Sequence, residues 1–139
     1  VEREILAQHR RLRGLFADVE EALASALAPA PGDGADVDGV REALAHLSEA
    51  MDVHFSQEDR LYYPLIASLR PEHREQIASL AEQHTEFRER VARIVQELAV
   101  GRLEATGRAF RAFVADFGRH EKVEENLLAT LERDVSAAR

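Results

Sequence analysis

Residues 51–61 read MDVHFSQEDRL. At helical spacing Met51 is followed by His54, Glu58 and Leu61. The same stripe runs back through Leu47, Leu44 and Val40 and on to Leu65. Steps of three and four residues mark the buried face of an amphipathic helix. This face carries a histidine and a glutamate where leucines belong. A carboxylate buried without a partner costs roughly several kcal/mol, so its surroundings must compensate it.

Three more stripes of the same kind follow when the reading is extended along the chain. Helix A, about residues 2–28, aligns Ile5, His9, Leu12, Phe16, Val19, Leu23 and Leu27. Helix B, about 38–69, contains the opening stretch. Pro64 falls inside it and predicts a kink or a local break. Helix C, about 71–100, aligns Ile77, Leu80, His84, Phe87, Val91, Ile94 and Leu98. Pro71 suits its first turn and Gly101 its end. Helix D, about 102–135, aligns Phe110, Phe113, Phe117, His120, Glu124, Leu127 and Leu131. The stretch PAPGDGADVDG (29–39) separates A from B as a loop, with Asp36 or Asp38 as the N-cap of B. Nothing reads as a strand. The short connections after B and C make neighbouring helices antiparallel. The expected fold is all-α, an up-down-up-down four-helix bundle forming one domain over residues 1–139.

Every stripe is thus interrupted by a histidine, and two of them add a glutamate at i+4, on the same side of the helix. With a rise of about 1.5 Å per residue, His9, His54 and Glu58 all fall roughly 24–30 Å from the A/B turn. Counted from the other two turns, His84, His120 and Glu124 reach the same level. A single histidine on an apolar stripe is ordinarily a hydrogen-bonded core residue. Four at one level, with two carboxylates at matching offsets, call for a positive partner. Nitrogen and carboxylate ligands without thiolate suit iron or manganese, with zinc also compatible, and two bridging carboxylates suit a pair of ions. His46 lies off its stripe and His73 near a bundle end, so both are expected on the surface.

Composition narrows the remaining possibilities. The net charge of −8 argues against nucleic acid and against an anionic membrane surface. No apolar run is long enough to span a bilayer. The absence of cysteine excludes disulfides and thiolate metal sites and is compatible with a cytoplasmic protein, the expected location. The first residues do not read as a signal peptide. A start at Val1 is compatible with a trimmed N-terminus or with a domain of a longer chain.

The segments LAQHRRL around His9, HFSQEDRLYYPL (54–65), EQHTEF (82–87) and HEKVEENL (120–127) resemble the hemerythrin-like, or HHE cation-binding, family over essentially the whole chain. The resemblance implies a non-haem di-iron centre of the Fe–O–Fe type. His9 and His54 would serve one iron, His84 and His120 the other, and Glu58 and Glu124 would bridge them. One departure stands out. Oxygen-carrying hemerythrins place two histidines one turn apart on helix C, whereas Leu80 and Arg88 flank His84 here. Tyr62, one turn beyond Glu58, or a water is the candidate to fill that place. Glu125 is the alternative to Glu124 should a bulge shift the register of helix D.

A more open iron favours peroxide or nitric oxide alongside dioxygen. The functional reading is therefore a di-iron protein binding dioxygen or a related small ligand for sensing, storage or detoxification. The alternatives are a peroxide-consuming, catalase-like oxidoreductase at the same centre and a metal-free helical interaction module. A ferritin-like oxidase would need Glu-x-x-His pairs. Met51, Ala81 and Phe117 stand at those positions before His54, His84 and His120, so that reading is poor. The sequence does not define an oligomeric state.

Overall fold

The computed structural model describes residues 1–28 and 36–137, with side chains as far as Leu131. The first seven residues of the expected 29–39 loop therefore lie outside the described residues. The last three belong to a helix. Asp36 is the N-cap: its carboxylate accepts from the Gly39 backbone N–H at 3.0 Å, which satisfies one of the free donors of the first turn.

Among the described residues the structure is all helix. α1 spans Glu2–Leu27, α2 Val37–Gln57, α3 Tyr63–Leu69, α4 Arg74–Ala99 and α5 Leu103–Ala137. A π-helical turn, Glu58–Tyr62, joins α2 to α3 without interrupting the rod, and a short 3-10 turn, Pro71–His73, opens α4. α1 packs on α2 and α5, and α4 packs on the same two helices, which closes an antiparallel four-helix ring. α4 and α5 meet at a tight turn where Gly101 takes φ 82°, a left-handed conformation open to glycine without strain.

The apolar stripes bury as the sequence predicts, apart from Leu131, which is only partly buried, and two local exceptions. On α1, Ala26 is buried and Leu27 is exposed. The second exception is larger. Leu61 and Leu65 were expected in the core but are 58% and 40% exposed, and Tyr62, Tyr63 and Ile66 are buried in their place. The π turn is the cause. Pro64 has no N–H to donate, and its ring would clash with the Arg60 carbonyl of a regular α-helix. The chain widens by one residue just before it, with Tyr63 N–H bonding to the Glu58 carbonyl. Everything beyond rotates by that one residue. The expected break at Pro64 is thus a helix that continues in a shifted register.

The core divides into two apolar clusters. The larger holds six phenylalanines, among them Phe16, Phe55 and Phe113. The smaller is built on Ile5, Tyr62, Tyr63, Ile66, Leu80, Leu127 and Leu128. The polar layer lies between them. Phe113 is fully buried, edge-to-face with both Phe16 and Phe87. Phe113→Ala is expected to cost about 3–5 kcal/mol in chemical denaturation. Gly101→Ala should cost about 1–2 kcal/mol, and from the backbone alone, because an added Cβ there meets nothing within 4 Å.

Candidate metal centre

The six residues expected to converge do so, and all are buried. Ligand atoms of His9, His54, Glu58 and Glu124 lie within 4.8 Å of one another. So do those of His84, His120, Glu58 and Glu124. The two glutamates belong to both groups. Each i+4 pair faces itself along its own helix, His54 Nε2 to Glu58 Oε1 at 3.1 Å and His120 Nε2 to Glu124 Oε2 at 3.2 Å. The pairs also cross between helices. His9 Nε2 lies 2.8 Å from Glu124 Oε1, and His84 Nε2 lies 3.1 Å from Glu58 Oε1.

The outer nitrogens are as ordered as the inner ones. His54 Nδ1 meets the amide oxygen of Gln8, whose NH2 group is turned away toward Gln57. His120 Nδ1 meets Gln83 Oε1 at 2.7 Å, and His84 Nδ1 meets Asp59 Oδ1 at 2.9 Å. His9 Nδ1 faces Glu125 Oε1 and Glu121 Oε2, each at 3.2 Å. An acceptor at every Nδ1 places the imidazole proton there and turns the Nε2 lone pair inward. That is the usual arrangement of a metal-binding histidine.

These partners repeat. A Gln-His pair stands on the first helix of each hairpin, Gln8-His9 on α1 and Gln83-His84 on α4. The second helix of each carries His-x-x-x-Glu followed by another acid, His54 to Asp59 and His120 to Glu125. Each glutamine orients the histidine of its own hairpin. Each trailing acid orients the first-helix histidine of the other.

Sequence reasoning missed Gln8, Gln83, Asp59, Glu121 and Tyr63. The doubled Gln-His and Glu-acid pairs were the available signal for the first three. Two expectations need correction. The tyrosine at the site is Tyr63, whose hydroxyl donates to Glu124 Oε2 at 2.6 Å and lies 3.2 Å from His84 Nε2. Tyr62 packs instead in the smaller apolar cluster, because the extra residue of the π turn rotates it off the Glu58 face. Glu125 does not replace Glu124 in the layer, since α5 runs through it as regular helix; it lies on the outer side of His9. His46 is exposed as expected, and His73 is half-buried.

Electrostatics test whether a cation fits. Burial, and then the neighbouring Glu124 carboxylate, push Glu58 up to about 12. Burial also opposes ionisation of Glu124, but Glu58, His120 and His9 outweigh it and hold that carboxyl well below its usual range. Burial pulls His54 down to about 4 and His84 to about 3, helped by the other histidines. For His9, burial is outweighed by Glu124 and Glu121, and its pKa rises. Burial raises Tyr63, which keeps its proton. Left to itself, the layer keeps a proton on Glu58, and the carboxylates around His9 favour its charged form. Even so, His54 Nε2, His120 Nε2 and both Glu58 oxygens lack hydrogen-bond partners. Unpaired lone pairs facing one another at about 3 Å in an apolar core are a costly arrangement. A cation between them removes that cost, and the nitrogen and carboxylate donor set suits a first-row divalent metal.

Comparison with known families agrees with this geometry. The family model described as hemerythrin HHE cation binding domain matches residues 2–131. No curated protein and no solved structure matches the chain.

His54→Ala or Glu58→Ala is expected to abolish binding of a metal pair, measured as metal content per chain, while His46→Ala leaves it intact. Equal content in all three would remove the assignment. Chelation should lower the melting temperature of the wild-type chain and leave that of His54→Ala unchanged.

Proposed function

Because the chain belongs to the hemerythrin HHE cation-binding family, we propose that its metal centre is a pair of iron ions that binds dioxygen or a related small ligand, nitric oxide or peroxide, for sensing, storage or detoxification. One observation carries this reading: four inward Nε2 atoms and two shared carboxylates, every outer nitrogen held by an acceptor. His9 and His54 are assigned to one ion, His84 and His120 to the other, and Glu58 and Glu124 to both. Bound iron supplies reversible electron transfer and a Lewis-acid site for a small ligand.

The chain's own residues shape what that site admits. The ring of Phe55 stacks on His84 with centroids 4.1 Å apart. Phe87 and Phe117 cover His120 at 5.2 and 5.8 Å. Water is thereby kept from one side of the layer, and the imidazoles are locked in orientation. Helix C contributes a single histidine. Leu80 is buried in the smaller apolar cluster, and the Arg88 guanidinium lies outside, over Phe55. That leaves the His84 side with fewer donors than the chemistry of an ion accepts, and the Tyr63 hydroxyl stands beside it.

Tyr63 also supports a second reading, peroxide consumption at the same centre, because its O–H is a buried hydrogen-bond donor within reach of the layer. The location proposed is cytoplasmic. Among the described residues no helix is long and apolar enough to cross a membrane.

The visible spectrum of ferrous-loaded protein before and after air separates the readings. A charge-transfer band that grows in air and fades on deoxygenation is the expected result. A band that forms irreversibly, with catalytic loss of added peroxide, replaces ligand binding by the oxidoreductase reading. No band overturns the assignment of iron.

A further inference from the structure

The two halves of the centre are built from the same parts, which makes their one charged difference conspicuous. The ring centroids of His9 and His54 lie 5.3 Å apart, and those of His84 and His120 lie 5.2 Å apart, both pairs edge-to-face. Each half has one histidine oriented by a glutamine amide. Each has one oriented by the acid that follows a shared glutamate. The halves differ at the residue immediately after the second-helix histidine. After His54 that residue is Phe55, which stacks on His84 and brings no charge. After His120 it is Glu121, whose Oε2 lies 3.2 Å from His9 Nδ1.

Glu121 is not a surface acid. Its side chain is 5% exposed, and Oε2 has no hydrogen-bond partner. His9 Nδ1 has one proton to offer and two carboxylates facing it, the other being the half-exposed Glu125. On the opposite half His84 Nδ1 has Asp59 alone, itself 33% exposed. The charged groups acting on Glu121 are His9, Arg13, Glu125 and Glu124. A carboxylate on the outer nitrogen makes an imidazole a stronger donor. A buried one is little screened by solvent. The His9 half therefore presents one more buried carboxyl group to a cation than the His84 half does.

We propose that the two cation positions are unequal, and that Glu121 acts as a positioning residue that makes the His9–His54 position the one to fill first. The inference rests on the two-ion reading of the centre. It assigns the second, weaker position to His84 and His120, on the side where Phe55 and Tyr63 crowd the layer.

The test is anaerobic titration of the metal-free chain with cobalt(II), followed by ligand-field absorption and by metal content. Wild type should take up two ions in two resolved steps. In Glu121→Gln, close in shape but uncharged, the first step should weaken about tenfold. The second should stay where it was, and the metal-free melting temperature should not fall. Adding His120→Ala cripples the opposite half, so the one step that survives, at the His9–His54 position, must still respond to Glu121→Gln. A first step unmoved by Glu121→Gln overturns the inference. So does an equal loss in both steps with a lowered metal-free melting temperature, and so does a surviving step indifferent to Glu121. Failure of wild type to bind two cobalt ions overturns instead the two-ion reading beneath it.

Discussion

Two buried carboxylates, Glu58 and Glu124, whose ligand atoms lie within 4.8 Å of one another between two apolar clusters, set the terms for the rest of this structure. Water would solvate them, but the bundle excludes it, and burial keeps His54 and His84 from charging readily. The protein must find positive charge for this layer or keep protons in it. Protons are a partial answer. One on Glu58 and one on His9 relieve the strongest repulsion, yet they leave buried lone pairs unmatched. The apolar clusters above and below the layer bear that cost. The large rings of Phe55, Phe87 and Phe117 are buried next to it. A divalent cation satisfies several of the orphaned atoms at once, which a proton cannot do.

Much of this was legible in the sequence. Periodicity located four stripes, because a residue that must face the core recurs every three to four positions whatever its chemistry. The histidines and glutamates stood out as polar residues on that schedule, and counting from the turns brought them to one level. What failed was the reading beyond Glu58. A stripe counted at 3.6 residues per turn cannot see a π turn, and Pro64 announced a disturbance without giving its form. One added residue moved Leu61 and Leu65 to the surface and exchanged Tyr62 for Tyr63 at the layer.

The partners of the outer nitrogens escaped for a different reason. Gln8, Gln83 and Asp59 lie at the edge of their helices' buried faces and are only half-buried. In a chain this rich in charge they read as solvated face. Glu121 was concealed by its neighbours: it follows His120 directly and lies one step from the stripe, where an acid is ordinarily exposed. Only the approach of α1 reveals that its carboxylate lies 3.2 Å from His9 Nδ1.

The cross-hairpin pattern also bears on how the fold assembles. Each trailing acid holds a histidine on the opposite hairpin, and each glutamate of the layer contacts histidines of both. Neither hairpin alone can complete a cation position, since His9 and His54 need Glu124 from α5, and His84 and His120 need Glu58 from the α2 side. A cation bound in either position would cross-link the halves, and its binding free energy would become free energy of their docking. The glutamines act earlier. Gln8 and Gln83 each bond within their own hairpin, so they can orient His54 and His120 before the halves meet. The arrangement separates two tasks: contacts within a hairpin aim the donors, and contacts between hairpins close the site around its charge.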